Sequence, residues 1–246
     1  MLVPASLDEA MRGVEAVITT AIGYSHRKKG DSLATDYEGN RNLVDAAKRT
    51  GVPRFVLTSI LQCDIAHGVP HFWAKKETED YLESQGVPFV ALRPGAFLGG
   101  SGGGFLASGL RKGKLMRMMP PGVRITFIDP DEVARALAMA VDEPRALNKR
   151  IDLGSDRALS SEELAAVFTS VLGQPVKTGG MLMLRVFPLL ARVIPSMRDF
   201  AAMFAFFATG RYVADTRTQA ELFGPVPRVE DAARKVVRDA GIAQAT

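Results

Sequence analysis

The sequence predicts an α/β protein with a doubly wound parallel sheet and a mostly helical C-terminal part. Apolar runs of strand length alternate with amphipathic stretches long enough to form helices, which is typical of parallel βαβ units. The 246 residues, of which 47% are hydrophobic and 24% charged, have the composition of a globular protein rather than of a disordered or coiled-coil chain. We place the sheet in residues 1–153 and the mostly helical part in residues 154–246.

Five runs are predicted as strands because they are short, apolar and rich in β-branched or aromatic residues. Turn or cap residues bound them, so that each run ends where a helix or a loop can begin. Strands of this kind, separated by helices on both sides, are buried on both faces of a parallel sheet. In chain order the predicted strands are 14–20, 54–59, 87–92, 124–128 and 149–153.

The helices between these strands are predicted from their caps. Ser6 with Glu9, and Ser160 with Glu163, have the spacing of a capping box. Gly51 is a natural helix end, and Asp129 followed by a proline is a natural helix start. A polar loop is predicted at 24–30. In chain order the predicted helices are 6–12, 33–50, 71–85, 129–142 and 160–172.

The charge and the cysteine content limit the classes of ligand and the cellular compartment that the sequence predicts. Lys and Arg exceed Asp and Glu by 31 to 27, which suits an anionic small ligand such as a phosphate-bearing cofactor as well as it suits nucleic acid. The basic clusters 27–29 and 111–114 lack interleaved aromatic residues, so we predict solvated loops and no nucleic-acid site. Cys63 is the only cysteine, which indicates a reducing compartment. With no secretory signal and no metal-binding motif, the prediction is a cytoplasmic protein without a metal.

Four segments resemble one superfamily. Thr35–Ser59 resembles a helix and the strand after it in short-chain dehydrogenase/reductase-like proteins, and His71–Glu79 with Gly86–Phe97 extends the match. Phe127–Ala134 resembles a segment that these proteins carry further on. Over most of residues 6–172 the chain is similar to the atypical branch of the superfamily, which includes NmrA-like proteins. The resemblance implies a Rossmann-like fold that binds NAD(P), with the choice between NAD and NADP left open.

The beginning of the chain departs from that family. The family opens with a strand, a glycine-rich turn and a helix whose N-terminus faces the pyrophosphate of the cofactor. This sequence begins where the family enters the helix before its fourth strand, so we expect an N-terminally truncated Rossmann-like sheet. A start codon assigned too late, a fragment, or a protein that has discarded its cofactor half would each explain the difference. The glycine-rich stretch 99–104 does not complete a G-x-G-x-x-G pattern, and we predict a loop there.

The candidate chemistry lies on Ser59, His71 and Lys75. Ser59 ends a predicted strand, at the edge of an open α/β sheet that borders the ligand crevice. His71, Lys75 and Glu79 are spaced i, i+4, i+8 and therefore share one helix face. The resemblance implies a serine that polarises the substrate carbonyl, a tyrosine that transfers the proton and a lysine that binds the nicotinamide ribose. Ser59 and Lys75 match the serine and the lysine, whereas His71 stands at the tyrosine position.

The histidine leaves two interpretations open. An unperturbed imidazole exchanges a proton near neutral pH, because its pKa is about 6.5. A nearby Lys75 ammonium would favour the neutral imidazole, which donates a hydrogen bond but is a poor acid. His71 therefore either takes the place of the tyrosine or belongs to a site that binds cofactor without turnover. For Glu79 we expect a structural ion pair with Lys75 at i, i+4.

Two further strand ends are predicted to touch the cofactor. Thr19, Thr20 and Ala21 end the first predicted strand, and by resemblance this turn passes a ribose of the cofactor. The second strand end would border the nicotinamide. Each of the two segments has a plain alternative, which is that it is only the exit of a strand. The residues predicted at the second strand end are Pro94, Gly95, Ala96 and Phe97.

The most apolar part of the chain is 181–208, which contains Pro195 near its middle. Prolines and arginines interrupt it, so it holds no continuous span of about 20 apolar residues and we predict no membrane-spanning helix. Two helices broken at Pro195 would bury this stretch as a lid or subdomain core. Left exposed, it would instead serve an apolar substrate, a partner subunit or a membrane surface.

Together these observations predict an NAD(P)-dependent oxidoreductase of the short-chain dehydrogenase/reductase type. It would transfer hydride between nicotinamide and a carbonyl or enone of a small-molecule substrate, with an apolar substrate as one option. Two alternatives stay open. One is a noncatalytic, NmrA-like dinucleotide-sensing or scaffold protein, and the other is a membrane-associated assembly factor that makes peripheral membrane contact.

Overall fold

A computed structural model describes the fold of residues 1, 3–23, 32–100, 103–179, 186 and 198–243. The chain divides into two compact units, both discontinuous in sequence. The first unit consists of 1–94, 134–152 and 218–224, and the second of 95–133, 153–217 and 225–246. The predicted functional division after residue 153 stays a prediction.

A four-stranded sheet forms the centre of the first unit, in the order β1-β2-β3-β7. Its first three strands run parallel, with Val56 opposite both Ile18 and Val90. All six residues of β3 are buried, whereas Ile18 on β1, at the edge of the described sheet, is 46% exposed. The strands are β1 (Val17–Thr19), β2 (Phe55–Thr58), β3 (Phe89–Pro94) and β7 (Lys149–Leu153). The predicted α/β class is confirmed.

Helices cover one face of this sheet. Leu7, Leu43 and Leu82, from three different helices, pack with Phe55 and Phe89 of the strands in one apolar core. Leu82 follows Glu79 by three residues and Lys75 by seven, so the apolar core and these polar side chains share one face of the third helix. The helical elements are α1 (Ala5–Ala10), a π-helix (Ser32–Gly39), α2 (Asn40–Thr50), a 3-10 turn (Cys63–Ile65), α3 (Pro70–Ser84) and a second 3-10 turn (Pro144–Ala146).

The second unit has two small parallel strand pairs. β4 (Ala96–Phe97) pairs with β6 (Phe127–Ile128), and β5 (Lys114–Leu115) pairs with β8 (Lys177–Thr178). Its last described helix, Val229–Asp239, packs against the helices Gly103–Arg111 and Ser161–Leu172. The helices in the rest of the chain are α4 (Gly103–Arg111), α5 (Pro130–Asp142), α6 (Ser161–Leu172), α7 (Arg198–Phe207), α8 (Arg217–Phe223) and α9 (Val229–Asp239).

Several predicted element ends are confirmed because local sequence signals determine them. Gly51 ends α2 in the left-handed conformation, with φ of 69°. Ser160 and Glu163 form both hydrogen bonds of a capping box on α6. Asp129 accepts a hydrogen bond from the backbone of Asp131, which caps the start of α5 (3.0 Å).

Other predicted elements need correction. Ser6 does not cap α1, because Pro4 holds the cap position and the Ser6 hydroxyl donates to the carbonyl of Val3 (2.9 Å). The predicted helix 33–50 begins as the π-helix and becomes α-helical only at Asn40. The strand predicted at 124–128 shortens to β6, since the Ile125 backbone pairs with Leu159 instead.

Three boundaries also move. β1 is limited to Val17–Thr19, and β3 lies two residues later than predicted, at Phe89–Pro94. The predicted loop 99–104 ends at Gly103, where α4 begins. The predicted loop 24–30 and most of the apolar stretch, 181–185 and 187–197, lie outside the described residues.

The end of the apolar stretch forms α7, in which Phe207 is buried. In the described part of the chain, none of the helices combines the length and apolar character that crossing a bilayer requires. Whether this stretch meets a membrane surface stays a prediction.

Candidate functional site

One face of α3 carries His71, Lys75 and Glu79 into the interior. The three side chains are 2%, 2% and 0% exposed, so the predicted common face of the helix is confirmed and is buried. Pro70 starts α3, where a missing backbone N–H costs no intrahelical bond. Lys75 and Glu79 lie one turn apart and meet different partners.

Glu79 is the centre of a buried ionic cluster. Arg93 donates to its two oxygens from Nε (2.9 Å) and Nη2 (2.6 Å), and Arg150 donates from Nε (2.9 Å). The Ser59 hydroxyl donates to Oε1 at 2.5 Å. We call Glu79, Ser59, Arg93 and Arg150 the Glu79 cluster. Both carboxylate oxygens of Glu79 accept hydrogen bonds, from two guanidinium groups and one hydroxyl. The cluster is therefore suited to hold β2, β3, β7 and α3 together.

This cluster changes two expectations. The expected ion pair of Glu79 with Lys75 is wrong, because two guanidinium groups engage the Glu79 carboxylate. Ser59 was expected to face a substrate oxygen, but its hydroxyl is directed to Glu79. The reason is Arg93, which the parallel register of β2 and β3 places beside the end of β2, close to Ser59.

Lys75 faces a second buried carboxylate, Asp36 of the π-helix. Its Nζ donates to the carbonyl of Ala21 (2.6 Å) and lies 3.7 Å from Asp36 Oδ1. Burial lowers the pKa of Lys75, although the charge of Asp36 opposes this. Burial likewise raises the pKa of Asp36, against the charge of Lys75. Burial thus opposes the charged form of both Lys75 and Asp36, and the charge of each residue favours the charged form of the other.

Sequence reasoning missed Asp36 and its neighbour Asn40. Asn40 donates to the Asp36 carbonyl (2.9 Å) and accepts a hydrogen bond from Thr19 Oγ1 (3.1 Å). Both side chains are fully buried. The i, i+4 spacing of Asp36 and Asn40, just before an apolar helical pattern, is the signal that could have found them.

Two neighbouring titratable groups carry no charge at neutral pH. Burial and the adjacent Lys75 lower the pKa of His71 to about 4. Burial and the Glu79 carboxylate raise the pKa of the Cys63 thiol to about 12. His71 is thus a neutral imidazole, as the spacing to Lys75 suggested, and Cys63 is a thiol rather than a thiolate.

The end of β1 joins the Lys75 site through two of its three predicted residues. Thr19 bonds to Asn40, and the Ala21 carbonyl accepts from Lys75, whereas Thr20 is exposed. Thr19 pairs with Leu57 of the parallel β2, so this site lies at the carboxyl end of the sheet. That edge is where ligands bind in open α/β sheets.

The four residues of the second predicted strand end, 94–97, belong to different units. Pro94 ends β3 in the first unit, where its carbonyl accepts from the Leu61 backbone (3.1 Å). In the second unit, a Cβ on Gly95 would lie 2.6 Å from the Thr126 carbonyl oxygen, so a side chain there has no room. Ala96 and Phe97 form β4, and Phe97 is exposed. Contact of these four residues with a cofactor stays a prediction.

The Lys75 site fits one part of a dinucleotide, the ribose. An ammonium donates to hydroxyl oxygens, and a carboxylate and a carbonyl accept from hydroxyl groups, so Lys75, Asp36 and the Ala21 carbonyl match both roles of a diol. For the pyrophosphate, the described residues of the first unit provide no glycine-rich turn between a strand and a helix. The described residues of the first unit therefore offer candidate contacts for a ribose of the cofactor and none for its pyrophosphate.

A parallel sheet flanked by helices, with buried polar side chains at its carboxyl edge, places the chain in the Rossmann-like class of α/β proteins. The comparison with known families is more specific. The chain belongs to the NmrA-like family, whose profile matches residues 3–230.

Solved structures agree on the fold. The chain is similar to an NADPH-dependent quinone oxidoreductase from Escherichia coli in complex with NADPH, with a TM-score of 0.76 and 21% identity. That match covers 96% of this chain and 81% of the other.

Curated relatives agree at the level of sequence. The chain is 26% identical to the chloroplast protein High Chlorophyll Fluorescence Phenotype 244 of Arabidopsis thaliana over 82% of its own length and 51% of that protein. It is 33% identical to sanguinarine reductase of Eschscholzia californica, over 49% of this chain and 45% of that enzyme. The chain thus spans about half the length of these relatives.

Proposed function

We propose that this chain belongs to an NAD(P)(H)-dependent reductase and holds the nicotinamide ribose. The observation that carries the proposal is the buried Lys75 ammonium, placed with Asp36 and the Ala21 carbonyl at the carboxyl edge of an NmrA-like sheet. Two of the similar proteins are a sanguinarine reductase and an NADPH-dependent quinone oxidoreductase, which supports reduction of a small molecule. A bound nicotinamide would supply the hydride to a carbonyl or enone.

The residues of this chain have separate tasks in this proposal. Lys75 binds a ribose hydroxyl and adds a positive charge beside the cofactor. His71, one turn earlier on the same buried face, orients the substrate oxygen by donating a hydrogen bond. With its pKa near 4, it is an uncharged donor at neutral pH and does not deliver a proton as imidazolium. Ser59 has a structural task, because its hydroxyl donates to Glu79 on the same helix as Lys75.

The neutral His71 also favours a second candidate function, a dinucleotide-binding sensor or scaffold without turnover. Both functions require Lys75, and they differ in whether hydride reaches a substrate. Activity with quinones or enones distinguishes them, because a sensor binds the reduced dinucleotide without oxidising it. The cytoplasmic location and peripheral membrane contact stay predictions.

Dinucleotide binding tests the proposal directly. Trp73 is the only tryptophan and lies on α3 two residues before Lys75, so its fluorescence reports binding of NADPH or NADH. We expect Lys75→Met to weaken binding by roughly tenfold or more, as the loss of a charged hydrogen-bond donor requires. Lys76→Met is the matched control, since Lys76 pairs with Asp80 on the surface of the same helix. Equal affinity of both variants for dinucleotide would refute the role of Lys75, and no binding by the wild type would refute the function.

A further inference from the structure

Asp36 connects three separate parts of the first unit. Both of its carboxylate oxygens accept from the Gly23 N–H, at 3.1 Å each, and fix the turn after β1. Its backbone carbonyl accepts from Thr78 on α3 (3.0 Å) and from Asn40 on α2 (2.9 Å). A residue held by so many bonds has little freedom, so its carboxylate has a fixed place in the fold.

The same carboxylate faces the Lys75 ammonium without forming a hydrogen bond to it. The 3.7 Å separation is longer than a hydrogen bond, so the attraction is one of charge. Among the described residues, Lys75 donates one of its three ammonium hydrogens in a hydrogen bond, to the Ala21 carbonyl (2.6 Å). Asp36 also fixes that carbonyl indirectly, because Gly23 lies two residues after Ala21 in the same turn.

From this geometry we propose that Asp36 is the positioning residue that holds the Lys75 ammonium, charged and aimed, for the ribose diol of a dinucleotide. The inference rests on the proposed function and deepens it. Asp36 acts through Lys75 and through the Ala21–Gly23 segment, which its carboxylate holds by accepting from the Gly23 N–H.

Asp36 is the group that sets the charge of Lys75 at neutral pH. The titratable groups that act on Lys75 are Asp36 from the π-helix, Cys63 from the 3-10 turn and His71 from α3 itself. Cys63 and His71 are uncharged there. On the other elements that pack against α3, Asp45 of α2 accepts from Tyr81 and Arg93 of β3 binds Glu79. Removing the Asp36 charge therefore leaves burial to act alone on Lys75.

The test variant is Asp36→Asn, which keeps the shape and a carbonyl acceptor for Gly23 but removes the charge. Asp80→Asn is the matched control, because Asp80 lies on α3, is 53% exposed and pairs with Lys76. In protein with 13C-labelled lysine, the Lys75 side-chain resonance, assigned by its loss in Lys75→Met, gives the pH midpoint of that ammonium without requiring solvent access or activity. We expect the midpoint to fall by roughly one unit or more in Asp36→Asn and to stay in Asp80→Asn.

Binding of NADPH supplies the second measurement. We expect Asp36→Asn to bind it roughly tenfold more weakly at a pH above the Lys75 midpoint measured in that variant, and to approach the wild type at a pH below that midpoint, where Lys75 carries its proton. If Asp36→Asn folds poorly, Asp36→Glu replaces it, and its retained charge should keep the midpoint near that of the wild type.

Three outcomes overturn the proposal. An unchanged Lys75 midpoint in Asp36→Asn would show that Asp36 does not set the charge of Lys75. A loss of NADPH affinity by the same factor at every pH would show a merely structural role. The third outcome is a shifted Lys75 midpoint in proteins, wild type and Asp36→Asn alike, that bind neither NADPH nor NADH. It would refute the dinucleotide as the ligand, and with it the proposed function, while the coupling of Asp36 to Lys75 stands.

Discussion

Glu79 on α3 and Asp36 on the π-helix are two buried carboxylates of one unit, and the protein compensates their charges differently. Glu79 receives three guanidinium hydrogen bonds and one hydroxyl bond. Asp36 receives one backbone N–H and an ammonium 3.7 Å away. The oxygens of Glu79 are bound by charged side chains, whereas Lys75 makes one hydrogen bond among the described residues, to the Ala21 carbonyl.

The identity of the cation explains the contrast further. A guanidinium does not lose its proton in a protein, so Arg93 and Arg150 need a buried counter-charge at every accessible pH. An ammonium in a buried position can become neutral, so Lys75 can adjust when its surroundings change. The Glu79 cluster is thus suited to hold the fold, and the Asp36–Lys75 pair is suited to respond to a ligand.

Removing the Glu79 charge tests this contrast with the largest expected effect. Glu79→Gln removes the buried carboxylate that Arg93 and Arg150 share and leaves them only more exposed partners, Asp64 for Arg93 and Glu83 for Arg150, so we expect the free energy of unfolding to fall by about 3–5 kcal/mol. Asp36→Asn should cost clearly less at pH 8, because Lys75 can release its proton. Urea unfolding followed by circular dichroism measures both.

Glu83→Gln is the control for that experiment. Glu83 also binds Arg150 (2.8 Å), but its side chain is 65% exposed, so its loss should change stability by about 0.5 kcal/mol or less. Equal losses in Glu79→Gln and Asp36→Asn would contradict the difference between the two carboxylates.

His71 gives the next largest effect and tests the pH response of the same helix face. Its pKa falls from 6.5 to about 4 on folding, so the unfolded chain binds a proton between these values while the folded protein does not. The His71 contribution to stability is therefore complete above pH 6.5 and decreases as the pH falls toward 4. At 1.36 kcal/mol per unit, the decrease amounts to roughly 3 kcal/mol.

His71→Gln removes this titration, and its unfolding free energy should change less than that of the wild type between pH 6.5 and 4. Exposed His67, four residues earlier, supplies the matched variant His67→Gln, which should retain the wild-type slope. A wild-type slope that persists in His71→Gln would mean that His71 is already protonated in the folded protein.

Sequence alone predicted the parts of the fold that depend on neighbouring residues. β7 matches its predicted bounds, and the caps of α5 and α6 form as their spacing indicates. The buried face of α3 followed from the i, i+4, i+8 spacing of its three polar residues.

The partners of those polar residues could not be predicted in the same way. Glu79 binds Arg150, 71 positions away, and Lys75 binds Ala21, 54 positions away. Such pairs depend on which strands become neighbours, and no local pattern records that. The π-helix could not be predicted for the same reason, because the contacts beside it are also distant in sequence. Asp36 accepts from Gly23, and Asn40, the residue after the π-helix, accepts from Thr19, at and just after the end of β1.

The smallest expected effect compares two copies of one local pattern. Ser6–Glu9 and Ser160–Glu163 have the same capping-box spacing, but only Ser160 accepts the Glu163 N–H (3.2 Å). Ser160→Ala should therefore lower the unfolding free energy by about 1 kcal/mol, and Ser6→Ala by less than about 0.5 kcal/mol. Urea unfolding of the two variants side by side measures the difference. Similar losses would mean that the spacing itself stabilises a helix start, whereas the structure attributes the effect to the hydrogen bonds that Pro4 prevents at the first site.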